Sequence, residues 1–387
     1  MDRRDFIKVM VAGSSGMLIA SALGGCDEAS PVALEGWTTS PDTKDIRLRV
    51  LSYALLAPNP HNKQPWIVAL TGPRRFELYV DPQRLLPETD PPYRQIHVSQ
   101  GTFLENLRLT ATQFGYRADI DYFPQGLYDN AVLEHKPVAV VDLIEEPTAK
   151  PDPLFDQILK RQSNRRVFLD RPLSPQQLDA IRAVLPSSDP DFYLTVTDDT
   201  AQRRELTRFA TEAMRIEVAD RKRIAESVAM FRFNDDELAA CRDGFGAPQM
   251  GAKGLKKYLI EHFFISRAAF LAENSSFGEQ SIDGSRKQAE SAAAFGWLVS
   301  KNNTRLDQVR AGHFYNRINL TATAQGVAIQ PMSQVLQEYA AMASLQQQFK
   351  RTIGVPPMHT VQMFFRLGIA DPVRHTARRR VDDLMAR

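Results

Sequence analysis

The chain has 387 residues, of which 43% are hydrophobic and 24% charged, so it can bury a sizeable core and is not disordered. Lysine and arginine number 48 against 46 acidic residues, giving a net charge of +2 with no sustained basic stripe. That balance argues against nucleic acid as a partner.

The chain opens with Asp2-Arg3-Arg4-Asp5-Phe6-Ile7-Lys8 and a mostly apolar run from Val9 to Leu23, interrupted by Gly13-Ser14-Ser15-Gly16. The run is too short and too broken to favour a span of about 20 residues, and its charged start and small-residue end are those of an export signal over residues 1–25. Paired arginines followed by x-Phe-Ile-Lys resemble the twin-arginine signal, with Asp2 a departure from its usual first residue. Leu23-Gly24-Gly25-Cys26 resembles a bacterial lipoprotein cleavage box, with Gly24 a less usual choice. These resemblances imply export by the twin-arginine translocation machinery to the periplasm or another extracytoplasmic face. Cys26 would be the lipidated first residue of the mature chain, and its acyl groups the membrane anchor. Cys241 would then be the one remaining thiol, with no intrachain disulfide. Signals of this type serve proteins that fold before export, often around a cofactor, so a cofactor site is expected.

A polar segment, residues 26–43, reads as a tether. Beyond it the pattern predicts a helix (45–56), a loop, a hairpin (67–71 and 75–80), a proline-rich loop (81–92), a helix (96–115) and a strand (137–144). Glu145 to Pro153 carries three prolines and divides a first half, residues 44–150, from a second, 151–387.

A repeat crosses that boundary. The segment from Gly101 to Gly115 aligns without gaps on that from Gly312 to Gly326, sharing both end glycines, Phe103/Phe314 and the Leu-Thr-Ala-Thr of 109–112 and 320–323. Apolar residues fall on one helical face in each, and each helix should stop near its glycine. The halves therefore look related, with these helices at the centre. The second half is predicted to run from a helical Pro153 to Lys160, through an irregular stretch, to a helix marked by Ser174-Pro175. Strands are expected at 292–299 and 359–367. Residues 200–285, charged and mostly helical, have no counterpart in the first half.

Two stretches carry chemistry. Arg161-Gln162-Ser163-Asn164-Arg165 contains no acid, and guanidinium forks with a hydroxyl can grip a phosphate; a basic cluster alone can equally be a solvated face. Ala57-Pro58-Asn59-Pro60-His61-Asn62-Lys63-Gln64-Pro65-Trp66 is a stiff, polar junction, with Trp66 read as core. The seven histidines lie too far apart for a local metal motif, so no metal is expected. Gly244 to Gly251 lacks the spacing of a dinucleotide fingerprint.

Together with the late Gly326 to Ser333, which ends in Gln-Pro-Met-Ser, these stretches resemble the FMN-binding nitroreductase family, in the branch where the fold is duplicated within one chain. The resemblance covers residues 45–387. It implies an α+β fold of mixed, mainly antiparallel sheets around long central helices, with one FMN bound between the two halves of a monomeric mature chain. Arg161, Ser163 and Arg165 would hold the phosphate, with Arg378 or Arg379 assisting. Asn59, His61, Asn62 and Gln64 would line the ribityl chain and ring edge, and Pro331, Met332 and Ser333 would approach the isoalloxazine. The family usually has serine after Ala-Pro, where this chain has Asn59. The function implied is an exported FMN oxidoreductase passing electrons from an unassigned donor to a small-molecule acceptor. The alternatives are a flavin-sequestering protein with residues 200–285 as a cover, and a tethered interaction protein without cofactor.

Overall fold

The computed structural model describes residues 34–38 and 43–386. The export signal, Cys26 and most of the predicted tether lie outside them. Among the described residues, no helix is long and apolar enough to cross a membrane.

Asp45 caps the first helix, α1 (Ile46–Ala54), its side chain accepting from the Arg47 amide. Strands β1 (Trp66–Gly72) and β2 (Arg75–Val80) form an antiparallel hairpin. Helix α2 (Arg94–Gln113) follows, then β3 (Tyr116–Tyr122) and β4 (Ala139–Glu145). The sheet order is β1-β2-β4-β3, antiparallel throughout.

The second half repeats that order of elements. Helix α3 (Pro175–Arg182) starts with the Ser174–Gln177 capping box, which satisfies two otherwise orphan amides. Strand β5 (Phe192–Thr197) follows. A long insert, residues 198–293, carries helices α4 (Thr200–Val218), α5 (Arg221–Ala229), α6 (Asp235–Cys241), α7 (Gly254–Leu259), α8 (Arg267–Leu271) and α9 (Phe277–Glu290), and two short strands, β6 (Phe231–Arg232) and β7 (Phe245–Gly246). The half closes with β8 (Ala294–Ser300), α10 (Arg305–Ala324), β9 (Ala328–Pro331), α11 (Ala343–Thr352) and β10 (Thr360–Gly368). The second sheet runs β5-β8-β10-β9, again antiparallel. The class is α+β, with antiparallel sheets flanking a central helix pair.

That pair is α2 and α10, and the repeated glycines are where they touch. A Cβ on Gly101 would lie 1.8 Å from the Val309 carbonyl oxygen, and one on Gly312 1.9 Å from that of Val98. Polar groups lock the contact: Glu105, buried, meets His313 at 2.6 Å and Arg317 at 2.7 Å, and Asn316 donates to Asn106 at 2.7 Å. Both helices end at a glycine with left-handed backbone, Gly115 (φ +76°) and Gly326 (φ +66°), as the sequence predicts.

Several expectations need correction. Pro153 to Lys160 is only a 3-10 turn over Pro153–Gln157. Strands β3, β5 and β9 escape the sequence reading; β3 alternates half-buried with exposed positions, as an edge strand does, and so lacks an apolar run. Within the predicted tether, Glu35–Trp37 is a turn docked on the C-terminal tail, where the Trp37 indole donates to the Thr376 carbonyl at 2.7 Å. That tail returns to the first half: Val68 and Met385 form a bridge, and Leu384 joins the core of the first half.

Candidate functional site

The loop after α1 is held in an unusual backbone. His61 (φ +50°), Asn62 (φ +57°) and Gln64 (φ +53°) are all left-handed and none is glycine, a conformation that costs about 1–3 kcal/mol per residue and persists only where the surroundings impose it. They do. Asn59 Oδ1 accepts from the Gln64 amide at 2.8 Å, and Arg84 donates to the Lys63 carbonyl at 3.0 Å. Asn62 Nδ2 donates to the Gly244 carbonyl of the insert at 2.9 Å and to the Ala377 carbonyl of the tail at 2.8 Å. Three distant segments thus clamp one loop.

The arginine-serine stretch is stitched from the other side. Ser163 bridges to Ile329 beside β9, the Asn164 side chain donates to the Asp371 carbonyl at 2.8 Å, and Gln162 accepts from the Val373 amide at 2.8 Å. Arg161 and Arg165 are thereby aimed back towards the first half, where the tail delivers Arg378. The Arg161 and Arg378 guanidiniums both donate to the Leu56 carbonyl, at 3.2 and 3.3 Å, and the Nε of each is buried without a partner.

Among the described residues none of these three guanidiniums has an acidic partner, whereas their neighbours do: Arg374 pairs with Asp235, Arg232 with Asp243 and Arg379 with Asp81. Burial lowers the pKa of Arg161 and of Arg165 to about 10, and burial followed by repulsion from Arg161 lowers that of Arg378 further below its ordinary value. Buried like charges without counter-charge are costly. An anion accepting from all three would offset that cost with charge-assisted hydrogen bonds.

The cluster opens onto connected compartments. The first is lined by Arg161, Ser163, Arg165, Arg378, Asn59 and Asn62, with Trp37, Gln249 and His375 at its wall. The second shares Asn59, Ser163 and Arg165, adds His61, Tyr315, Pro331 and Ser333, and encloses about 1010 Å³ counting the solvent at its mouth. A third, beneath the insert, is reached past His61, Arg165, Gln330 and Gln334. Phe245 of the insert borders all three compartments, its ring 4.4 Å from the Arg165 guanidinium carbon. Burial, with Arg165 and Lys63 adding to it, lowers the pKa of His61 to about 4, so its imidazole is neutral at neutral pH.

Of the residues singled out in the sequence, Arg161, Ser163, Arg165, Arg378, Asn59, His61, Asn62, Pro331 and Ser333 converge on the first two compartments. Three do not. Gln64 is fully buried, donating to the Arg242 carbonyl and accepting from the Arg379 amide, both at 2.8 Å; Arg379 in turn donates to the Trp66 carbonyl at 3.0 Å. Both side chains tie the tail to the loop instead of facing the cavity. Met332, between the end of β9 and the 3-10 turn that begins at Ser333, is buried in the core of the second half and lines the third compartment, whereas Pro331 and Ser333 line the second. Asn62 lines the first compartment, yet its amide is committed to Gly244, Ala377 and Arg378. Trp66 is core, with its indole donating to the Ser99 carbonyl. Sequence reasoning missed Trp37, Phe245 and Gln249. A tryptophan inside a polar tether was the one available signal for Trp37; the other two come from the insert, which has no periodic mark of its position.

No family model matches the chain. The chain is similar to three proteins of Mycobacterium tuberculosis strain H37Rv. It is 26% identical over 347 residues to "Uncharacterized protein Rv3127", covering 86% of this chain and 90% of that protein. It is 23% identical over 363 residues to "Putative NAD(P)H nitroreductase Rv3131", covering 93% and 95%, and 24% identical over 354 residues to "Putative NAD(P)H nitroreductase acg", covering 88% and 96%. Solved structures that align with it include a nitroreductase with bound FMN from Bacteroides fragilis (14% identity, 57% of this chain and 89% of that one, TM-score 0.30). Another is a nitroreductase-like protein from Bacillus cereus (12% identity, 61% and 96%, TM-score 0.34). Over most of its length, then, this α+β chain is similar to proteins named as NAD(P)H nitroreductases.

Proposed function

We propose that the chain is an FMN-binding oxidoreductase of the nitroreductase type, a duplicated fold that holds one flavin between its two halves. The observation that carries this reading is the convergence of Arg161, Arg165 and Arg378 on one cavity with no acidic partner among the described residues. Ser163 beside them and the larger compartment next to them fit a phosphate joined to a flat, mostly apolar ring. The names of two of the relatives support the same reading.

In this arrangement the arginines fix the phosphate, Asn59 and His61 border the chain that follows it, and Pro331 and Ser333 border the ring. Neutral His61 offers its buried, unpartnered Nδ1 as a hydrogen-bonding group. The flavin, when bound, supplies the redox chemistry; no side chain is assigned as acid or base. The donor and acceptor are unassigned, with export through the twin-arginine machinery and lipid anchoring at Cys26 as further parts of the proposal. A specific observation favours a second reading, flavin sequestration: Phe245 and Gln249 of the insert stand in the cavity wall, so the insert covers the site.

Protein matured through its own export signal and purified without added flavin is expected to be yellow and to release about one FMN per chain on heating. A colourless preparation that cannot take up FMN would sink both readings. Bound flavin that dithionite reduces, but that bulkier donors cannot reach, would favour sequestration.

A further inference from the structure

The third compartment is different in chemistry from the other two. Met214 and Val218 of α4, Ile224 of α5, Phe231 of β6 and Phe277 of α9 wall it, and it encloses about 1700 Å³ counting the solvent at its mouth. Met250, half exposed, and Lys256 stand at that mouth. Within the apolar wall sits one buried carboxyl, Glu217 of α4, whose Oε2 accepts from the Gln337 side chain at 2.7 Å. Burial raises its pKa to about 7, opposed by that hydrogen bond and by Arg223 and reinforced by Glu226. Gly284 of α9 lines the same space, and a Cβ placed on it meets nothing within 4 Å.

We propose that the insert encloses a second binding site, adjoining the first two compartments, for an apolar molecule that carries one neutral polar head hydrogen-bonded to the Glu217 carboxyl. An apolar wall of this kind gains by excluding water, and the Glu217 carboxyl, which lines the space and accepts from Gln337 at one oxygen, can hydrogen-bond a ligand's polar head at the other. The compartment is walled mainly by the insert and the loop after β9 and shares His61, Arg165 and Gln330 with the proposed flavin site, so FMN content is measured alongside every binding experiment.

The test uses the full mature chain and N-phenylnaphthylamine, whose fluorescence rises in apolar surroundings. Saturable binding at about one site per chain is expected, with dodecanol displacing the probe. Gly284→Leu fills the open space while favouring the helix, so probe affinity should fall at least about tenfold with FMN content unchanged. Glu217→Leu should leave the probe bound and weaken displacement by dodecanol about tenfold, roughly the value of one buried hydrogen bond. Absence of saturable binding, or parental affinity in Gly284→Leu, would overturn the site. Unaltered dodecanol displacement in Glu217→Leu would overturn the role of the head group. FMN content is read separately, so loss of this site and failure of the flavin reading are distinguishable.

Discussion

The two halves share one order of elements, and they differ most where each leaves its first strand. In the first half β1 turns directly into β2 at Pro73-Arg74; in the second, residues 198–293 fill the equivalent connection between β5 and β8. The sheet is indifferent to this because hairpin ends are already close together, and lengthening a closed loop adds little entropy cost. The insert then has reach, and it places Phe245 and Gly244 against the other half.

A second contrast lies one connection earlier. Between α1 and β1 the first half has the loop with left-handed His61, Asn62 and Gln64, beside arginines that have no acidic partner among the described residues. Between α3 and β5 the second half has Asp189 and Asp191, which pair with Arg310 at 3.8 and 2.8 Å. Cations matched to acids leave no place for an anion. The same order of elements thus leaves arginines without an acidic partner among the described residues at one corner and an arginine matched to acids at the other, and this contrast supports the proposal of a single anion site.

The largest effect should come from Arg161→Ala with Arg165→Ala. FMN content should drop from about one per chain to near zero, because two charge-assisted contacts are each worth about 1.5–3 kcal/mol; retained flavin would break the contrast between corners. Removing Asp189 and Asp191 should leave flavin content unaltered.

Next in size, Gly101→Ala or Gly312→Ala should destabilise the fold by about 2–4 kcal/mol, seen as a lowered denaturation midpoint, because each added methyl overlaps a carbonyl of the facing helix. Equal losses at the two glycines would sharpen the equivalence of the halves, and a loss at only one would weaken it.

Phe245→Ala uncovers Arg165 without touching either four-stranded sheet, so FMN should dissociate about tenfold faster in stopped-flow fluorescence, with the denaturation midpoint little changed. An unaltered rate would remove the insert from the site.

The smallest effects concern pH. His61 has its pKa depressed to about 4 in the folded chain, so the stability it contributes is present above about 6.5 and lost as pH falls through 4. Glu217 has its pKa raised to about 7, so its contribution is present below about 4.5 and lost as pH rises through 7. His61→Gln should flatten the acid side of the Tm–pH profile, and Glu217→Gln the neutral side. The same slope in both variants would contradict the opposite signs.

Much of the architecture was legible because local rules fixed it. Ser174-Pro175 marked a helix start, Gly115 and Gly326 marked helix ends, and the shared Leu-Thr-Ala-Thr segments located the central pair. The edge strands β3 and β9 were hidden for want of a continuous apolar run. At the site, absence of acid around Arg161 and Arg165 was visible in the sequence, but a side chain's direction is not. Gln64 and Arg379 carry suitable donors and face each other; Met332 lies between two cavity residues and faces a different compartment.

The sequence alone determined which groups are available: an acid-free arginine-serine stretch, a polar loop stiffened by prolines, and a helix repeat carrying glycines at matched positions. These follow from residue type and spacing, which need no knowledge of contacts far along the chain. Tertiary structure decided which groups share a cavity, since Arg378 arrives by a returning tail, and Phe245 by an insert whose placement depends on packing across hundreds of residues. It also decided that these arginines find no acidic partner among the described residues, because whether a charge finds a partner is set by distance in space.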